Sequence, residues 1–71
     1  MKRTEKVMEM INDLEDNGNV VISVVVDNFI VSIEEVKDYE NVTHIGVVGL
    51  DEYEENGFDY EGLSTNWIVV E

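Results

Sequence analysis

The sequence predicts an α+β domain, with one N-terminal helix packed on a three- to four-stranded antiparallel sheet. Three observations carry that expectation. Val20 to Ile33 reads VVISVVVDNFIVSI, with apolar and β-branched residues on both sides of Asp27-Asn28. Residues 4–16 space their apolar side chains at helical intervals instead. Two later stretches, 42–50 and 66–71, read as further strands. Each element can hide its apolar side only against another, so the helix is expected to lie across the apolar face of the hairpin.

For the helix over 4–16, Thr4 is positioned as N-cap and Val7, Met8, Ile11 and Leu14 form one face. Asn17-Gly18 supplies a left-handed C-cap. The opposite face carries Glu5, Glu9, Asp13 and Asp16. Glu5 suits the helix N-terminus, whereas Glu15 and Asp16 oppose the helix dipole.

The hairpin follows, with strands near 20–26 and 29–36. Asp and Asn both tolerate the positive φ of a type I′ turn. With Val26 facing Phe29, the register pairs Val24 with Val31, Ile22 with Ile33, and Val20 with Glu35. One face is then Val20, Ile22, Val24, Val26, Phe29, Val31 and Ile33; the other is the mixed set Val21, Ser23, Val25, Ile30, Ser32 and Glu34.

Residues 37–41 are polar and turn-like. In the strand over 42–50, Thr43, Ile45 and Val47 face one side and His44, Gly46 and Val48 the other. Gly46 and Gly49 hint at a bulge or a close approach by another backbone. Residues 51–65 are an acidic loop, with a helical turn around Asp51–Glu55. The predicted core is Val7, Ile11, Leu14, Ile22, Val24, Val31, Ile33, Ile45, Val47 and Val69, with Trp67 closing one edge.

Seventy-one residues make a single domain, 1–71. A chain this short buries only about 60% of the surface its unfolded form exposes. It has no cysteine, hence no disulfide or thiolate metal site. Met1-Lys2-Arg3 is basic, but no apolar signal segment follows it. No apolar run approaches the roughly 20 residues of a membrane helix. A cytoplasmic protein is expected. The net charge is −13, from seventeen acids against four bases. Residues 1–6 hold Lys2, Arg3 and Lys6 against Glu5, a sum of +2; residues 7–71 hold sixteen acids against Lys37, a sum of −15. That charge discourages direct contact with nucleic acid or an anionic membrane. An apolar fraction of 44% argues for a folded domain with the acids outside.

No catalytic or cofactor motif is present. Glu52, Glu54, Asn56 and Gly57 fall where a calcium-binding EF-hand loop places its first ligands and its glycine, but the bidentate acid due at the twelfth position is Leu63. No metal and no cofactor are therefore expected. His44, the only histidine, and Ser23, Ser32 and Ser64 form no recognisable nucleophile arrangement, and a domain of this size has little room for a substrate pocket. The expectation is a protein that is not an enzyme. Asn41-Val42-Thr43 is a glycosylation sequon that a cytoplasmic protein would leave unmodified.

Two binding surfaces suggest themselves. Val21, Val25 and Ile30 form an apolar patch suited to a homodimer unless residues 51–63 fold over it. The other, and the leading one, is an acidic face that mimics nucleic acid, built from Glu34, Glu35, Asp38, Tyr39 and Glu40 with Asp51, Glu52, Tyr53, Glu54, Glu55, Phe58, Asp59, Tyr60 and Glu61. Acids on one strand face stand about 6.6 Å apart, too sparse for a duplex carrying one charge per ~1.7 Å of axis. Acids of several elements, including Glu9, Asp13 and Asp16 of the helix, would have to converge. Tyrosines among them would supply contact where charge supplies steering. In size and charge the chain is similar to small acidic inhibitors of host nucleic-acid enzymes: DNA-mimic proteins, uracil-DNA glycosylase inhibitors, anti-restriction and anti-CRISPR proteins. The resemblance is compositional and assigns no residue a role. It implies a non-enzymatic inhibitor, of phage or mobile-element type, whose partner is a basic nucleic-acid-binding protein. The alternative is a homo-oligomeric structural or accessory protein.

Overall fold

A computed structural model describes residues 2–71. Helix α1 (Arg3–Asp16) lies on a four-stranded antiparallel sheet of β1 (Asn19–Val26), β2 (Phe29–Ser32), β3 (Val42–Gly49) and β4 (Asn66–Val69). The strands are ordered β2-β1-β3-β4. A 3-10 helix (Ile33–Asp38) joins β2 to β3, and a short helix α2 (Leu50–Glu55) follows β3. This is the expected α+β architecture.

The β1–β2 turn forms as its residues predict: Asp27 and Asn28 have φ of 50° and 69°. The register pairs Val26 with Phe29 and Val24 with Val31. The expected pairs Ile22–Ile33 and Val20–Glu35 do not form, because β2 ends at Ser32. Having run along the edge of the sheet, the chain must cross to the far side of β1 to begin β3. The Ser32 hydroxyl accepts the Glu34 N–H at 3.4 Å and opens the 3-10 helix. With three residues per turn, that helix aligns Ile33, Val36 and Tyr39. All three pack into the core, Val36 most deeply.

Two bulges set which side chains point where. Between β1 and β3, Val21 pairs with Val47 and Ser23 with Gly46, so Ile22 is the extra residue. The bulge inverts the alternation within β1. Val21 faces α1 ahead of it; Val24 and Val26 face α1 after it. Ile22, expected in the core, therefore turns to the opposite side, and Val21, expected there, is buried. The second bulge leaves Thr43 unpaired between Val42 and His44. The phase of β4 also differs from expectation: Ile68 and Val70 face the core, and Val69 is 58% exposed. The buried cluster beneath α1 is Val7, Ile11, Val21, Val24, Val26, Val36, Val42, Ile45, Val47 and Val70, flanked by half-buried Leu14, Val31 and Ile33.

Both helices end on Asn-Gly, by related routes. In α2, the Gly57 N–H bonds to the Glu54 carbonyl and the Phe58 N–H to the Tyr53 carbonyl, the two bonds of a Schellman cap. The apolar contact that accompanies such caps is here the edge-on pair of Tyr53 and Phe58, with centroids 6.0 Å apart. In α1, Gly18 has φ of 83° and its N–H bonds to the Glu15 carbonyl. The second bond comes from the Asn19 side chain, whose Nδ2 donates to the Leu14 carbonyl at 3.0 Å while its backbone enters β1. The other end of α1 differs from expectation. The helix begins at Arg3, one residue before Thr4, with Lys2 as an N-cap that makes no side-chain bond. The Arg3 guanidinium donates to the carbonyls of Val42 and Val70 at 2.8 and 3.1 Å. A charged donor shared by two carbonyls outweighs a neutral cap worth about 1 kcal/mol.

Candidate functional site

All seventeen carboxylate side chains are exposed. The cations are placed differently. Arg3 is tied to the start of β3 and the end of β4, and Lys6 donates to the main-chain oxygen of Glu71. Since α1 runs antiparallel to β1, Lys2, Arg3 and Lys6 gather at the end of the molecule where β3 begins. Lys37 is exposed on the 3-10 helix. The far end is the acidic one. There the Leu50 N–H bonds to the Gly18 carbonyl at 2.9 Å, joining the end of α1 to the start of α2. Glu15 and Asp16, in the last turn of α1, thus share this end with Asp51, Glu52, Glu54 and Glu55 of α2.

The residues proposed from sequence fall into two groups. Glu34, Glu35 and Asp38 are exposed on the 3-10 helix, which packs against β1 and β2, and Glu40 is exposed just before β3. Tyr39 packs half-buried against the core. The second group begins beyond the other end of β3, about 26 Å along an eight-residue strand. In it Tyr53 is half-buried and paired with Phe58, so both serve the cap of α2. Asp59, Tyr60 and Glu61 belong to a loop with its own bonds. Asn56 Nδ2 donates to the carbonyls of Asp59 and Glu61 at 2.9 and 3.0 Å, and the Glu61 N–H donates to Asp59 Oδ1 at 3.0 Å. Asn56, aligned in sequence with a calcium ligand, is thus a loop fastener. Among the described residues, no three His, Cys, Asp or Glu side chains meet as a metal site.

The sheet face away from α1 carries a feature that the sequence reading reached only in part. Near Gly49 this face is covered: Val48 is fully buried yet lies outside the cluster beneath α1, and α2 packs against β3 and β1 there. Further along it is open. Ile30 is 70% exposed and Trp67 40%. Residues 60–65 rise beside it and form a cleft of about 480 Å³, lined by Ile22, Ser23, Ile30, Ser32, Tyr60, Glu61, Gly62, Leu63, Thr65 and Trp67. A second recess of about 380 Å³, between Val25, Asn28 and His44, shares Ile30 and Trp67 with the first.

Gly46 shapes this face. It pairs with Trp67 across β3 and β4, and a Cβ placed on it would lie 2.8 Å from Trp67 Cζ3 and 3.0 Å from Ser23 Oγ. The close approach that the glycine signalled is made by the indole, which lies down on the bare backbone. His44 sits on the same face, its Nδ1 2.9 Å from Thr43 Oγ1. Of the apolar patch expected here, Val25 and Ile30 are in place and Val21 is in the core. The loop that was to cover the patch walls it instead.

No family model matches the chain, and no curated protein or solved structure matches it either.

Proposed function

We propose that this chain is a non-enzymatic acidic binding protein that engages a basic, nucleic-acid-binding protein and competes with the nucleic acid for it. The observation that supports the reading is the exposure of all seventeen carboxylates while three of four cations gather at one end. A −13 charge on so small a body attracts a basic partner over roughly a Debye length, about 8 Å at physiological salt. The acidic end, where the last turn of α1 adjoins α2, is the centre of the reading. The 3-10 helix acids form a separate flank.

The test is capture of partners from lysate on the tagged chain, washed at low and at moderate salt and challenged with DNA or RNA. One nucleic-acid-binding protein that survives moderate salt and is displaced by nucleic acid is the expected result. A diffuse set of basic proteins that all wash off overturns the reading. With the partner in hand, reversing Glu52, Glu54, Glu55 and Asp59 together weakens binding far more than reversing Glu5 and Glu9. Equal losses overturn the placement at α2.

A second reading, self-association, draws on the open face, where Ile30 is 70% exposed on β2, an edge strand without charge or proline, next to Val25 of β1. Light scattering at high concentration separates the two: a monomer removes the second.

A further inference from the structure

The cleft on the open face has the chemistry of a receptor for one kind of segment. We propose that it binds an extended, arginine-bearing segment of a partner protein, with a guanidinium stacked on Trp67 and paired with Glu61. The inference rests on the acidic-binder reading and gives that reading a site.

Trp67 lies over Gly46, its Cζ3 where a Cβ on that residue would point, and keeps 40% of its surface open. Tryptophan is the best aromatic partner for a cation, and arginine the commonest cation to use it. Glu61 lines the same cleft, and its backbone is held by Asp59 and Asn56, so a carboxylate is presented on a fixed loop rather than a mobile one. A carboxylate takes two parallel bonds from a guanidinium and cannot do so from an ammonium. The hydroxyl-bearing residues Ser23 and Ser32 line the floor and the far side, and Ile30 closes the cleft opposite.

Charge complementarity selects the occupant. No lysine or arginine lines either recess. A second copy of this chain fits poorly, since it brings another −13, and its one arginine, Arg3, is engaged on the carbonyls of Val42 and Val70. An anionic ligand would meet the same field. A basic segment gains from the field at a distance and from the indole at contact.

The test uses the full chain and a short labelled peptide of alternating arginine and valine, with a lysine–valine peptide of equal charge as its control. Binding is followed by anisotropy, and by emission of Trp67, the only tryptophan. The arginine peptide is expected to saturate, to shift the Trp67 emission, and to bind about threefold or more tighter than the lysine peptide. Trp67→Leu and Glu61→Gln each weaken it by about threefold or more and erase the preference, whereas Glu9→Gln on α1 changes affinity by less than about 1.5-fold. Glu61 is exposed on a loop, so Glu61→Gln decides the matter even if Trp67→Leu fails to fold. Equal binding of the two peptides, unchanged by Glu61→Gln, overturns the cleft while leaving the acidic-binder reading intact. No binding of either peptide at low salt overturns both. A dimer by light scattering whose formation blocks the peptide assigns the cleft to a second copy and overturns the proposal.

Discussion

On the side of the sheet facing α1, Val24, Val26, Val42, Ile45 and Val47 are buried. On the other side Val25, Ile30, Trp67 and Val69 are as apolar, but Ile30, Trp67 and Val69 are exposed. The difference is one of cover. With fourteen residues, α1 is about 21 Å long and spans most of a strand of about 26 Å. With six residues, α2 is about 9 Å long and reaches only the Gly49 end of β3. The loop after α2 stands beside the remaining surface as a wall. A sheet with two apolar faces and one full-length helix has one core and one open apolar surface.

Substitutions on the two faces should break or sharpen this contrast. The largest effect belongs to the covered face. Ile45 is fully buried at the middle of the sheet, and Ile45→Ala is expected to cost about 2–5 kcal/mol. On a domain whose whole stability is of order 5 kcal/mol, a urea melt should then show no folded baseline or a midpoint near zero urea. A cost below about 1 kcal/mol would mean that α1 does not seal this face.

Next comes the platform of the open face. In an ordinary strand Gly→Ala stabilises by about 0.4–1 kcal/mol through the unfolded chain. At Gly46 the added carbon meets Trp67 Cζ3 at 2.8 Å, so Gly46→Ala should instead destabilise by about 1–2 kcal/mol. The indole yields by swinging outward, so its emission should move to the red. A stabilised variant with unchanged emission would show that Trp67 does not rest on Gly46.

The contrast also explains what could be read from the sequence. Wherever one periodicity held, the reading succeeded: Val7 and Ile11 on the helix, Val24 and Val31 beside the turn, Ile45 and Val47 in β3. It failed where local geometry changed the period. Nothing in the run VVISVVV marks Ile22 as a bulge, because both phases present apolar residues and only pairing with β3 selects one. The phase of β4 is equally silent in NWIVVE, and is fixed by the fit of Trp67 over Gly46. The 3-10 helix did leave signals. Ser32-Ile33-Glu34-Glu35 is a helix-start pattern of Ser followed three residues later by Glu, and Ile33, Val36 and Tyr39 recur every three residues. An alternating strand extended to residue 36 absorbed both. The acids were legible as an outer coat. That Glu15 and Asp16 meet the start of α2 depends on the bond between Leu50 and Gly18, which joins residues distant in sequence.

The smallest expected effect is the sharpest test, because it compares neighbours. Ile30 and Val31 are consecutive in β2 and point to opposite faces, Ile30 paired with Val25 and Val31 with Val24. Val31→Ser places a hydroxyl against the core cluster and removes methyl groups from it, at a cost of about 1–3 kcal/mol. Ile30→Ser makes a similar change on a side chain already 70% exposed, and should alter stability by less than about 0.5 kcal/mol. Denaturant midpoints of the two variants measured side by side should differ clearly, with Ile30→Ser close to the parent. If Ile30→Ser costs as much as Val31→Ser, the outer face is covered in solution, and a second copy of the chain is the candidate cover. If the two separate as expected, the apolar surface around Ile30 contributes little to folding, and its chemistry is free to serve binding.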